Sequence, residues 1–95
     1  MPYSAIDLIR HIFDEAAFLT AEVSVMSEEH FMLDEKTQRA FARSFEIIGE
    51  AAKKMPGEFQ AAHPEVNWKA MARMRDKLIH LYFGVDYMLV WNTVR

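Results

Sequence analysis

The chain contains no cysteine. That excludes a disulfide framework and any cysteine-built zinc site. Glycine and proline are scarce, three of each in 95 residues. There is no low-complexity tract and no internal repeat. Such sparse punctuation suits helices joined by short connections better than a sheet with many tight turns. No apolar run approaches the roughly 18–20 residues of a membrane span. Met1-Pro2-Tyr3-Ser4 lacks the basic-then-apolar layout of a signal peptide. A soluble cytoplasmic protein is therefore the expectation. A basic excess is also missing: the net charge is −3, which argues against a general nucleic-acid binder.

Hydrophobic residues make up 52% of the chain, enough for a packed core. The length predicts one domain, residues 1–95, small enough that oligomerisation would help its stability. Charge is unevenly spread. Residues 1–35 hold eight acids and one base, a balance of −7; residues 36–95 hold six acids and ten bases, a balance of +4. Between Lys69 and His80 stand Lys69, Arg73, Arg75 and Lys77 against Asp76 alone. That segment is a candidate RNA-binding patch on an acidic protein. The plainer reading is the solvated face of a helix.

Hydrophobic spacing is helical throughout, with no competing strand alternation. Ser4 with Asp7 resembles a capping box. Beyond it Ile6, Ile9, Phe13, Ala16 and Ala17 recur at helical spacing, widened by Leu8, Ile12, Leu19 and Val23, which predicts a helix over 5–24. Ser27-Glu28-Glu29 can start a short helical turn ending near Leu33. Asp34 is an N-cap for the longest helix, 35–55, with Thr37, Phe41, Ser44, Phe45, Ile48, Ala52 and Met55 in register and Pro56-Gly57 as the stop. A turn over 58–62 is ended by His63-Pro64. Asn67 caps a helix over 68–81, Gly84 interrupts, and Asp86 caps a last helix over 87–95. That helix reaches Arg95 without a C-cap, as a sequence cut short there would. The fold class expected is all-α, a bundle of four main helices.

The stretch Arg75-Asp76-Lys77-Leu78-Ile79-His80-Leu81-Tyr82 concentrates the most chemically capable side chains. Arginine offers a permanent charge and a fork of donors that fits phosphate oxygens. Histidine titrates near neutral pH and can take or give a proton. The pair suits metal-independent cleavage of a phosphodiester by an adjacent RNA 2′-hydroxyl. His80 would move the proton, Arg75 would stabilise charge developing on phosphorus, and Asp76 would orient its neighbours. The products would be a 2′,3′-cyclic phosphate and a 5′-hydroxyl. Five positions on a helix turn through about 140°, so Arg75 and His80 do not stack. A two-fold dimer would bring two copies of the pair into one cleft. Arg73 lies upstream of the same histidine, and pattern alone does not choose between the arginines. Taken alone, such residues are most often surface groups or charges favoured by a helix C-terminus.

Phe45-Glu46-Ile47-Ile48-Gly49-Glu50-Ala51-Ala52 resembles the E-I-I-G-E-A signature of small HEPN-domain proteins of the HepT-like toxin family. Asn67-Trp68, then Arg75 through Asp86, is similar to that family's W…R-x4-H-x-Y-F-G-V-D block, and Trp91 to its final tryptophan. The similarity runs in order over essentially the whole chain. It implies a HEPN-type bundle of four to five helices, and it selects Arg75. It further implies a metal-independent ribonuclease toxin without a cofactor, acting as a homodimer or higher homo-oligomer. The implied partner is a cognate MntA-like nucleotidyltransferase antitoxin that transfers AMP from ATP to Tyr82. That modification would place bulk and negative charge beside the cleft and repel RNA. Family members commonly carry a longer last helix than one ending at Arg95. The alternative within the family is a non-catalytic HEPN binding module that supports a nucleotidyltransferase.

A di-metal bundle site would want Glu-x-x-His pairs. None of His11, His30, His63 or His80 has a glutamate three positions earlier, so no metal site is expected. Glu46 and Glu50 should make polar contacts, including with basic residues of the 69–77 segment. Gly49 should permit close helix packing. Phe41, Phe45, Trp68, Phe83 and Trp91 should be core, and the seven methionines mostly gap-fillers.

Overall fold

The computed structural model describes residues 4–80 and 87–94, with side chains for all of these except 78–80. Among them are six helices and no strand: α1 (Ala5–Val23), α2 (Glu28–Leu33), α3 (Glu35–Lys54), α4 (Gly57–Ala62), α5 (Trp68–His80) and α6 (Tyr87–Val94). The architecture is all-α, as the periodicity requires.

Local chemistry sets the helix starts. Ser4 accepts from the Asp7 amide while the Asp7 carboxylate takes the Ser4 amide, a complete capping box. Ser27 accepts from the His30 amide, Asp34 from the Thr37 amide at 3.3 Å, and Asn67 from the Ala70 amide at 3.0 Å. The cap expected from Asp86 lies outside the described residues. Proline, rather than glycine, ends α3. Met55, the residue before Pro56, is extended at φ −63°, ψ 132°, the region that a following proline enforces. Gly57 is not a left-handed cap; it opens α4.

Helix α3 is the central element, packing against both α1 and α5. One core layer joins Leu19, Phe31, Phe41, Phe45, Ile48, Val90 and Trp91. Phe31 sits at its centre, with ring centroids 4.9 Å from Phe41 and 5.2 Å from Trp91. A second layer joins Leu8, Ala51, Ala52, Met55 and Trp68. The expected core aromatics Phe41, Phe45, Trp68 and Trp91 are all buried; Phe83 lies outside the described residues. Met71 and Met74 fill space against the first layer, and Met55 is fully part of the second.

One expectation changes in α1. Its buried residues are Leu8 and Leu19, flanked by Ile12 and Val23. Ile6 and Phe13, from the stripe on which the helix was recognised, are 69% and 70% exposed. The apolar band of α1 is wider than the strip that α3 can cover. Periodicity finds the helix, but the packing partner selects the buried edge. A polar tie fixes the choice: buried Ser44 on α3 donates to Glu15 on α1 at 2.7 Å.

Candidate functional site

Arg75 projects from α5 onto α3, and Gly49 explains how the helices meet there. A Cβ built at Gly49 would lie 2.2 Å from Arg75 Cβ and 2.8 Å from the Met71 carbonyl oxygen. Only a residue without a side chain permits that approach. The expectation that Gly49 serves close packing holds, and the helix it admits is the one carrying Arg75.

The guanidinium is held by acids. Glu50 Oε2 stands 2.9 Å from Arg75 Nε. Asp76 Oδ1 lies 3.4 Å from Arg75 Nη1, and the same oxygen accepts from Lys53 Nζ at 3.0 Å. Lys53 reaches Asp76 from α3, so two ion pairs bridge α3 and α5. The hydrogen bond from Lys53 holds the Asp76 carboxyl below the usual carboxylate range, against an opposing desolvation, with Arg75 acting in the same sense as Lys53. The expected contact between the Glu46/Glu50 face and the basic segment is thus made by Glu50. Glu46 instead pairs with Arg43 on its own helix, at 3.6 Å.

Arg75 is 27% exposed and opens onto a groove of about 290 Å³. His11 of α1, Arg43, Glu46, Glu50 and Lys54 of α3, and Arg75 of α5 line it. Its arginine and lysine side chains outnumber its glutamates three to two, which leaves the groove slightly cationic. The sequence singled out Arg75 here but missed His11, Arg43 and Lys54. A signal existed for the last two, since 43, 46, 50 and 54 recur at the spacing of one helix face.

The other expected residues separate. Lys69, Arg73 and Lys77 recur every four positions and are exposed. They form one ridge of α5; the helical twist turns Arg73 and Lys77 about 160° from Arg75 and Lys69 about 120° from it. In a single copy they do not join the groove. Position 80 falls on that same ridge, about 140° from position 75. The His80 side chain and the whole of Tyr82 lie outside the described residues. Among the described residues, no helix is long and apolar enough to cross a membrane, and no group of three or more histidine or acidic side chains gathers as a metal site.

Residues 4–95 match the family described as Ribonuclease HepT-like. The chain is 51% identical over 86 residues to "Putative RNase TTE0752" of Caldanaerobacter subterraneus subsp. tengcongensis, covering 90% of this chain and 77% of that protein. It is 50% identical over 91 residues to "Probable ribonuclease HepT" of Thermococcus cleftensis, covering 96% and 74%. It is 52% identical over 69 residues to "Putative RNase MJ0127" of Methanocaldococcus jannaschii, covering 73% and 57%. No solved structure matches the chain. With almost its full length matched and half its residues shared with such relatives, the chain belongs to the Ribonuclease HepT-like family.

Proposed function

We propose that the protein is a metal-independent endoribonuclease whose reacting groups are Arg75 and His80. The observation that carries this reading is the state of Arg75. It is a half-buried guanidinium, rooted against Gly49 and gripped by Glu50, that still opens onto a slightly cationic groove. A purely structural arginine has no need of such an opening. A surface arginine has no need of such support. The names of the relatives point the same way.

In this mechanism His80 takes the proton of a 2′-hydroxyl as its oxygen attacks the adjacent phosphorus. Arg75 stabilises the negative charge that grows on the phosphoryl oxygens. The P–O5′ bond breaks, and the leaving oxygen takes a proton from the His80 imidazolium so formed, which returns the histidine to its starting state. The 2′-hydroxyl is a reactant, so DNA is spared. Since positions 75 and 80 are about 140° apart on α5, a two-fold dimer supplies the convergence: the pair of one copy completes the pair of the other. The exposed ridge of Lys69, Arg73 and Lys77 then lies beside position 80 to attract the RNA backbone. The biological setting is a toxin restrained by an MntA-like nucleotidyltransferase, which adenylylates Tyr82.

The test is cleavage of RNA by the purified chain in EDTA, beside His80→Ala. Cleavage by the parent that EDTA leaves intact and His80→Ala abolishes is expected. RNA binding without cleavage by the parent would instead favour a non-catalytic module serving a nucleotidyltransferase.

A further inference from the structure

Glu50 has no part in the chemistry above, and by charge alone it opposes that chemistry. A carboxylate beside a phosphate-binding arginine repels the incoming phosphate. Its contribution must therefore be geometric, and the contacts say what it is. Arginine is long and flexible, and its planar fork is useful only when aimed. At the root, Gly49 lets α3 touch Arg75 Cβ. At the tip, Glu50 Oε2 meets Nε at 2.9 Å. Holding Nε restricts rotation about the last single bond before the guanidinium plane. It leaves the far edge of the fork to the groove. Among the described residues the acids on Arg75 meet only Nε and, at 3.4 Å, Nη1. The Nη1 contact is the longer, and its acceptor oxygen on Asp76 is shared with Lys53 at 3.0 Å. Glu50 is itself steadied by Lys54 Nζ at 3.6 Å.

We propose that Glu50 is a positioning residue that fixes the guanidinium plane of Arg75 through Nε and aims its Nη edge into the groove. Together Gly49 and Glu50 seat the arginine at root and tip, which gives the G-E pair within Glu46–Ala51 a physical role. The kinetic consequence rests on the ribonuclease reading; the geometric one does not.

The experiment uses the full chain with Glu50→Ala and Glu50→Gln, each checked for an unchanged helical spectrum and melting transition. Glutamine keeps an oxygen at the place that Oε2 holds 2.9 Å from Nε, without its charge; alanine keeps neither. Glu50→Ala should lower kcat on RNA by about tenfold or more, as loss of aim in a reacting group does. Its KM should hold or fall, because a charge that repels RNA is gone. Glu50→Gln should restore most of kcat. The second readout is the nitrogen-15 Nε–H signal of Arg75, identified by its absence in Arg75→Ala. It should exchange slowly with water in the parent and in Glu50→Gln, and rapidly in Glu50→Ala. An unchanged kcat in Glu50→Ala, a raised KM at constant kcat, or an Nε–H signal indifferent to Glu50→Ala each overturns the proposal. If the parent cuts no RNA yet its Nε–H is protected through Glu50, positioning stands and the ribonuclease reading fails.

Discussion

Gly49→Ala sets two effects of opposite sign against each other at one position. Inside a helix, glycine is less favourable than alanine by about 1 kcal/mol. Were α3 an isolated helix, the substitution would stabilise it by that amount. Position 49 is buried, however, where α3 meets α5. The added methyl carbon would lie 2.2 Å from Arg75 Cβ and 2.8 Å from the Met71 carbonyl oxygen. Carbon atoms pack at about 3.5–4.0 Å, so the shortfall against Arg75 Cβ is at least about 1.3 Å. A side-chain tip could swing away, but a Cβ and a backbone oxygen move only with their helix. Overpacking of this kind costs about 1–3 kcal/mol, here near the upper end because α5 must be displaced. The net expectation is destabilisation by about 1–2 kcal/mol, read as a lower urea midpoint at constant slope. Because α5 carries Arg75, a displacement of about 1 Å should also lower RNA cleavage roughly 100-fold. A Gly49→Ala protein about 1 kcal/mol more stable than the parent, with cleavage intact, would show that helix propensity governs the position and that the close approach is not needed.

The core and the exposed band of α1 should separate cleanly. Phe41→Ala, at a fully buried ring, should cost about 3–5 kcal/mol, whereas Phe13→Ser, on the exposed edge of α1, should shift unfolding by less than about 0.5 kcal/mol; equal effects in the denaturation curves would contradict the packing of α1. The carboxyl of Asp76 is held below its ordinary value of 3.8, so its tie to Lys53 contributes fully above that value and is lost as pH falls through the lower folded one. Parent and Asp76→Asn should therefore differ by a constant margin at neutral pH and converge below about pH 4; a margin that persists or widens in acid would contradict the pairing. Tyr82→Phe should keep RNA cleavage but escape silencing by the nucleotidyltransferase and ATP, and an added AMP mapped to Tyr3 or Tyr87 would move the regulatory site.

What was legible in the sequence is what local chemistry determines. Ser4, Ser27, Asp34 and Asn67 mark helix starts because each supplies an acceptor to an amide three residues on. Pro56 marks an end because it dictates the backbone of Met55. The identity of the buried edge of α1 was not legible. Ile6 and Phe13 are as apolar as Leu8 and Leu19, and only contact with α3 distinguishes them. The site divides in the same way. Arg75 stands out by its motif, and Glu50 by its place on the facing helix. The pairing of Lys53 with Asp76 was hidden, because any of ten basic residues beyond position 35 could have met that acid. The ridge of Lys69, Arg73 and Lys77 reads as part of one basic patch with Arg75 along the chain. The helical twist turns it about 120–160° away around α5.

The central claim is that Arg75 and His80 drive attack by a 2′-hydroxyl. The most direct measurement compares two versions of one RNA, alike except for a single 2′-deoxy substitution at the preferred cleavage position, with products identified by mass in the presence of EDTA. The all-ribose strand should yield a 2′,3′-cyclic phosphate and a 5′-hydroxyl end, the substituted strand should resist cutting at that position, and Arg75→Ala should cut neither. Cleavage of the deoxy position, or a 5′-phosphate product, would contradict the account.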